Sequence, residues 1–363
     1  TLSTAWDNTS PTLSTFTVGT SISVSGSTWI AYLFAHDPSA EGIIQCGSFT
    51  TSAGQDAQIT NIGWEPQFVL AKSTSNIGDW MICDETRGFP TQPGGQSIIA
   101  NSSTVSTTSG ISILPNGFRH SGLNTSTDNI YVAIRIRNKI PTTGSEILQV
   151  INRTGNGSGA TLSVGFSPDL VISKCRSNFV VPVFIDKIRG NYKVLNVNLN
   201  DVEYNDVSGL PVFVKNGITF GADGGYFTLN YNSYTYSTFL FKRAISIFDI
   251  FAYTGTGANQ NIPHNLGVLP ELWIVKCRNE PTRSWVVGSS LLSNTQILSL
   301  NSNSGVSTGG STYWNSTFPG QYTFSVGSDN NVNQSTRNFV AYLFASKAGI
   351  SKVGTYVGNG SSQ

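Results

Sequence analysis

An aspartate, an arginine three residues later and then a glycine occur twice at a spacing of 102 residues, as Asp84-Glu85-Thr86-Arg87-Gly88 and Asp186-Lys187-Ile188-Arg189-Gly190. An acid and a guanidinium so spaced could grip a charged ligand, or they could pair with each other as a turn clamp after a strand. The structural reading is favoured, because each copy follows an apolar run, Trp80-Met81-Ile82 or Val183-Phe184-Ile185, and the arginine fork suits such clamps. The third matching stretch reads Trp285-Val286-Val287-Gly288-Ser289-Ser290 and lacks both charges, which argues against a shared catalytic duty.

The other chemistry-bearing residues form no constellation. His36, His120 and His264 fall at different places in different repeats, and no nucleophile elbow, metal motif or phosphate loop accompanies them. His264 stands in the turn leading to a repeated strand and is expected to shape it. The cysteines are Cys46, Cys83, Cys175 and Cys277; Cys175 and Cys277 share one slot in separate repeats, so a disulfide framework is not expected, and no CxxC spacing exists for zinc. Asp201-Val202-Glu203-Tyr204-Asn205-Asp206 has oxygen ligands at near-alternate positions but lacks the glycine and final glutamate of a calcium loop, and reads as a turn. Tyr226, Tyr231, Tyr234 and Tyr236 crowd into one hairpin-like stretch, where alternation would put Tyr234 and Tyr236 on one face. They are the weak candidates for stacking on a sugar ring, with core packing the favoured alternative. No cofactor and no metal is expected.

The elements that must position these residues come from the repeat. Three segments match at a spacing of 102: Gly63-Trp64-Glu65-Pro66-Gln67-Phe68-Val69-Leu70-Ala71-Lys72, Gly165 through Pro168 to Lys174, and Gly267 through Pro270 to Lys276. Gly-x-x-Pro reads as a turn feeding a strand, and the apolar run is long enough for a buried strand but short for a helix. A second match is wider. Trp6-Asp7-Asn8-Thr9-Ser10-Pro11 with Phe16, Val18 and Gly19 returns 308 positions on as Trp314-Asn315-Ser316-Thr317-Phe318-Pro319 with Phe324, Val326 and Gly327. Both runs end in the same words, Ala31-Tyr32-Leu33-Phe34-Ala35 and Ala341-Tyr342-Leu343-Phe344-Ala345.

The predicted organisation is a domain's back half at 1–40, full repeat domains at 41–142, 143–245 and 246–347, and the opening of another at 348–363. Gly354-Thr355-Tyr356-Val357-Gly358-Asn359-Gly360 resembles Phe251-Ala252-Tyr253-Thr254-Gly255-Thr256-Gly257. With Thr1 at the start and both ends inside repeats, the chain reads as a piece of a longer protein. Only 11% of residues are charged, against about 25% in ordinary globular proteins, while aromatics reach 11%. That composition suits many short strands joined by turns. A net charge of +1 offers no field for phosphate backbones, and Arg135-Ile136-Arg137-Asn138-Lys139 alternates as one solvent face of a strand would. No apolar run approaches the roughly 18 residues of a membrane span. Nucleic-acid binding and membrane insertion are therefore not expected.

Together, Ser25 through Ala35, Gly63 through Lys72, Trp80 through Gly88 and Gly354 through Gly360 resemble the tandem modules of large virion proteins in tailed bacteriophages of marine and cyanobacterial hosts, commonly called tail-fibre-like proteins. The resemblance covers nearly the whole chain in pieces. It weakens in the second half of the repeat ending near Arg243 and in the missing Asp-x-x-Arg-Gly of the last repeat. It implies a non-enzymatic role in a virion appendage or on its surface. Its implied partners are copies of the chain, other virion proteins and, as a candidate, host-surface glycan. The expected fold is all-β, in tandem β-sandwich-like domains of about 100 residues. A bacterial cell-surface adhesin of tandem sandwiches is the alternative. A polysaccharide-degrading tailspike is disfavoured, since its β-helix rungs run about 20 to 30 residues and its groove needs paired carboxylates.

Overall fold

The computed structural model describes residues 5–38, 42–53, 57–84, 96–104, 107–108, 110–114, 116–120, 126–135, 141–209, 211–222 and 227–360. Each Gly-x-x-Pro segment opens a strand by the same device. Gly63, Gly165 and Gly267 take φ of 78°, 80° and 76°, a left-handed conformation that a Cβ would penalise by about 1–2 kcal/mol. Pro66, Pro168 and Pro270 follow, all buried. The N–H of the next residue then bonds to the end of the domain's last strand: Gln67 to Ile134 O at 2.8 Å, Asp169 to Phe241 O at 2.7 Å, and Glu271 to Phe344 O at 2.8 Å. The strands so launched are Phe68–Ser73, Leu170–Cys175 and Leu272–Cys277.

Three six-stranded antiparallel sheets share one order. In the middle domain it runs Leu148–Thr154, Thr235–Phe241, Leu170–Cys175, Val183–Asp186, Lys193–Asn196, Tyr204–Asn205. The launched strand and the domain's first strand flank its last strand, so each sheet is closed by the final residues of its repeat. The first full domain repeats this from Ile44–Thr51 to Thr127–Ile134, and the third from Phe248–Thr254 to Asn338–Phe344. A second, smaller sheet covers the inner face of each. It is Ala57–Ile59, Gly117–His120, Ile111–Leu114 in the first domain and Ala160–Ser163, Gly217–Phe220, Val212–Val214 in the middle one. In the third it has two strands, Gln260–Pro263 and Thr323–Val326, and a helical turn, Ser311–Trp314, takes the third strand's place in the chain.

Alternation along the strands fills the space between the two sheets. In the middle domain Val171, Val183, Ile185, Val194 and Leu240 of the large sheet meet Ile218 and Phe220 of the small one. In the third domain Trp273, Val275, Val286 and Leu343 meet Ile262, Phe324 and Trp314. The protein is all-β, built of tandem sandwiches.

By compactness the chain divides into Thr1–Ala35 and His36–Gln363, with the three sandwiches in the second unit. The first unit reproduces the local geometry of 311–327. Asp7 and Asn8 take φ of 50° and 49°, as Asn315 and Ser316 take 53° and 49°. Thr9 N bonds Trp6 O at 3.0 Å as Thr317 N bonds Trp314 O at 3.0 Å, and Gly19 N bonds Ala5 O as Gly327 N bonds Tyr313 O.

Two expectations are corrected. The strand Thr127–Ile134 ends before Arg135, whose Nε donates to Gly42 O at 2.8 Å while its guanidinium lies 5.0 Å from the Trp64 ring. Arg135 therefore anchors a loop, and Arg137 and Lys139 lie outside the described residues. Tyr234 precedes its strand, which begins at Thr235, so it does not share a strand face with Tyr236.

The turn and the sheet use glycine for different reasons, which substitution separates. A Cβ at Gly165 would meet no atom within 4 Å, so Gly165→Ala costs only the left-handed conformation, about 1–2 kcal/mol. A Cβ at Gly217 would stand 1.8 Å from the Leu162 carbonyl oxygen, so Gly217→Ala must push the paired strands apart and destabilises more. Guanidinium unfolding followed by circular dichroism ranks the two; equal losses would contradict this account.

Candidate functional site

The middle and third domains meet through the outer faces of their large sheets. Leu170, Phe184 and Leu195 of one pack against Ile274, Trp285, Val287, Val340 and Tyr342 of the other, all buried. The Phe184 ring stands edge-on to Trp285 at 5.1 Å and to Tyr342 at 5.3 Å. Trp285 Nε1 donates across the joint to Asn196 O at 2.7 Å.

Asp186 and Arg189 sit in this joint. Asp186 caps the single 3-10 turn Lys187–Arg189, accepting from Arg189 N at 3.0 Å. It also accepts from Arg189 Nε at 2.5 Å and from Tyr342 Oη of the next domain at 2.7 Å. Arg189 donates onward to Phe184 O at 2.9 Å and to Glu203 at 3.2 Å, and Glu203 takes Arg278 of the next domain at 3.0 and 3.2 Å. Burial works against the charge on Arg189, but Asp186, Tyr342 and Glu203 outweigh it and its pKa is raised. Burial likewise opposes the Glu203 carboxylate, yet Arg278 and Arg189 hold it below its ordinary value. The motif is thus a turn clamp whose free acceptor lone pairs reach the neighbouring domain. Asp84 ends the corresponding strand of the first domain, and Arg87 lies outside the described residues.

A second ionic joint ties all three domains. Arg243 grips Glu65 of the first domain at 2.6 and 3.0 Å and Asp249 of the third at 2.9 Å. Asp249 in turn accepts from Asn265 N at 2.8 Å. Sequence reasoning gave no part in a joint between domains to Glu65, Glu203, Arg243, Asp249, Arg278 or Tyr342. Their partners lie up to 178 positions away, and only the acid after the proline, Asp169 or Glu271, left a repeat-level signal. Asp169 accepts from Arg243 N at 2.7 Å, and Glu271 accepts from Ser346 Oγ at 2.5 Å.

Two of the three repeated lysines bridge the hairpin that follows their strand. Lys174 Nζ donates to Val180 O at 2.8 Å and Lys276 Nζ to Arg283 O at 2.5 Å, whereas Lys72 Nζ turns to Ser73 O at 3.0 Å. Lys276 is fully buried, and burial pushes its pKa down to about 8.

The tyrosines divide. Tyr236 is core: its hydroxyl donates to Thr228 O at 2.6 Å, and the Arg153 guanidinium lies 4.7 Å from its ring. Tyr231 and Tyr234 form a tilted pair at 4.6 Å on the turn before the strand, with Tyr231 42% exposed. Tyr226 lies outside the described residues. The acidic stretch disperses instead of converging: Asp201 accepts from Asn196 and Tyr204, Glu203 holds two arginines, and Asp206 caps the turn at Gly209. Among the described residues no group of three or more His, Cys, Asp or Glu is arranged to hold a metal ion. His264 is buried, bonding Gly320 O and Leu266 N, and so shapes its turn as expected. None of the four cysteines is joined in a disulfide. No helix among the described residues is long and apolar enough to cross a membrane.

Compared with known proteins, the chain matches a family described as a domain of unknown function, DUF7483, over residues 1–134 and 143–363, and it belongs to that family. No curated protein and no solved structure matches it.

Removing one member of a buried pair leaves the other charge stranded, at a cost of about 3–5 kcal/mol. Arg189→Ala should therefore destabilise by that order, and Tyr342→Phe by less, with differential scanning calorimetry separating the middle and third domains into two transitions. For Lys276 the folded pKa, about 8, lies below its ordinary 10.5, so the folded state disfavours the charged form. The penalty is complete below about pH 8 and is relieved as pH rises toward 10.5. Relative to Lys276→Met, the unsubstituted protein should gain stability across that window, by at most about 1.4 kcal/mol per pH unit. Parallel profiles would refute it.

Proposed function

We propose that this member of the DUF7483 family is a non-enzymatic structural protein of a tailed-phage virion, forming part of a fibre shaft or decorating the particle surface. The observation that carries the reading is the pair of buried ionic and aromatic joints. Arg189, Glu203, Arg278 and Tyr342 fix the middle domain on the third, and Arg243 ties both to Glu65 of the first. A shaft must hold its modules in register under load, and joints of this kind resist sliding because any shift strands a buried charge. Asp186, Arg189 and Glu203, flagged in the sequence for chemistry, are spent on such contacts. That supports a mechanical role over a catalytic one. The sequence resemblance to virion modules supplies the setting.

Glycan contact is the second element of this reading, and the Tyr231–Tyr234 pair favours it. Two rings 4.6 Å apart at an exposed turn offer an apolar shelf with hydroxyl rims, the surface on which a sugar ring stacks.

Gold-labelled antibody against the chain should decorate a projecting fibre or the surface of the parent particle in electron micrographs. Labelling of a bacterial envelope in place of a virion would favour the adhesin. On host surface polysaccharide, Tyr231→Ala should weaken binding by about tenfold, the effect of losing about 1.4 kcal/mol of stacking. Unchanged retention would remove the tyrosine shelf from the proposal.

A further inference from the structure

At one end of the middle and third sandwiches the same turn carries two different sets of side chains. Residues 230–234 and 333–337 share a backbone: Ser233 and Thr336 take φ of 67° and 64°. Each turn is pressed onto the glycine that follows the domain's first strand, since a Cβ on Gly155 would stand 2.1 Å from Tyr231 O and one on Gly255 2.2 Å from Gln334 O. Asn230 and Asn333 hold the turns from beneath, one donating to Ser158 O and Gly221 O, the other to Ala258 O and Gly327 O.

In the third domain the side chains on this frame satisfy one another. Arg337 pairs with Glu280 at 2.8 Å, Arg283 donates to Gln334 at 3.0 Å, and Arg278 is spent on Glu203 of the middle domain. In the middle domain the counterparts of Gln334, Arg337 and Glu280 are Tyr231, Tyr234 and Asn178, and Phe179 stands where the other has Pro281. Phe179 is fully exposed, and Arg176, the counterpart of Arg278, is exposed with no carboxylate paired to it among the described residues. Thr235 N donates to Ser177 Oγ at 2.9 Å, which ties the hairpin tip to the residue after Tyr234. Two residues span at most about 7 Å, so Phe179 flanks the tyrosine pair. Asn178 accepts from Phe179 N at 2.8 Å through its carbonyl oxygen, which leaves its amide nitrogen to donate outward. The segments that build this end, 152–158, 174–180 and 227–238, contain Arg153, Lys174 and Arg176 and no Asp or Glu. The rings therefore lie in a field that favours an anion.

We propose that this end of the middle sandwich binds an acidic polysaccharide, an assignment that rests on the glycan reading of the Tyr231–Tyr234 pair and adds to it the class of sugar and a second ring. One sugar stacks on the tyrosine pair, the next lies toward Phe179, and Arg176 takes the carboxylate of a uronic acid. The aromatic faces supply apolar area to the sugar rings, and the guanidinium fork matches a carboxylate with two parallel donors. Gly155 and Asn230 have already fixed the turn, so binding has little backbone left to order. The third domain, with its charges paired and no ring on the same frame, carries no such site.

Affinity electrophoresis of the 363-residue chain through gels holding polygalacturonate, its fully methyl-esterified form or dextran sulfate tests this. Polygalacturonate should retard the protein, and esterification, which removes the charge and keeps the sugar, should weaken binding by about tenfold. Arg176→Gln should weaken binding to polygalacturonate by about tenfold, the effect of one charge-assisted hydrogen bond, and leave binding to the esterified chain unchanged. Phe179→Ala should weaken both by about tenfold. Arg176, Phe179 and Tyr231 are all exposed, so melting should not move in these variants or in Tyr231→Ala. If Tyr231→Ala weakens binding while Arg176→Gln and Phe179→Ala do not, the tyrosine shelf stands and the acidic, two-ring site falls. No retardation by polygalacturonate overturns the acidic site, and Tyr231→Ala on host polysaccharide still decides the shelf. Equal retardation by dextran sulfate that Phe179→Ala leaves intact shows attraction of charge alone and overturns the site as well.

Discussion

Alternation in the strand Leu170–Cys175 sends Val171 into its own sandwich and Leu170 out of it, yet both side chains are fully buried. The strand Leu272–Cys277 does the same with Trp273 and Ile274. A sheet with two apolar faces cannot leave one of them in water, so each of these domains needs a neighbour. From that constraint follow the stacking of the middle and third domains, the short lead-ins at Arg243 and Ser346, and the low share of charge. The lead-in must be short because the next sheet has to arrive at once on the exposed face of the last. The few charges present are drawn into the joint.

Apolar stacking alone would leave the joint free to slide, since Leu, Ile and Val fit one another in several registers. The buried ions remove that freedom. Asp186 accepts from Arg189 and from Tyr342, and Glu203 accepts from Arg189 and Arg278. Desolvation offsets much of the attraction in such pairs, so their value lies in specificity more than in stability. A shift of two residues along the strand would keep the apolar contacts and leave carboxylates without donors.

The all-β class and the launched strands were legible in the sequence because they rest on local chemistry. A left-handed glycine, a proline at the strand's first turn and an apolar run each act within ten residues, and each recurs. The Asp186–Arg189 clamp was legible for the same reason, as an i, i+3 pair closing one turn. Its second partner was not, because Tyr342 lies 156 positions on and carries no local mark of that duty. Arg243 was likewise opaque: nothing in its neighbourhood predicts a contact with Glu65, 178 residues earlier. Tyr234 was misplaced relative to Tyr236 because period-2 reasoning was carried one residue past the strand's start.

The loss of Asp-x-x-Arg-Gly in the third domain is explained by the joint it helps to form. Strand register makes Ser289 the counterpart of Asp186, since each lies opposite the first residue of its launched strand, Leu272 or Leu170. By the same rule Tyr342 is the counterpart of Phe239, opposite Ile274 and Ile172. Two identical faces would set the carboxylate against a phenyl, with no donor for it across the joint. The faces that meet have diverged: one keeps the acid and its arginine, the other gives up the acid, gains a phenol in place of a phenyl, and brings Trp285. Ser289 turns its hydroxyl inward to Glu271 O at 2.7 Å, and Gly288 beside it leaves room for the Trp273 indole, which a Cβ there would meet at 2.3 Å. A departure from the repeat that looks like decay in the sequence is, in the folded chain, the complementarity on which the stacking of unlike neighbours depends.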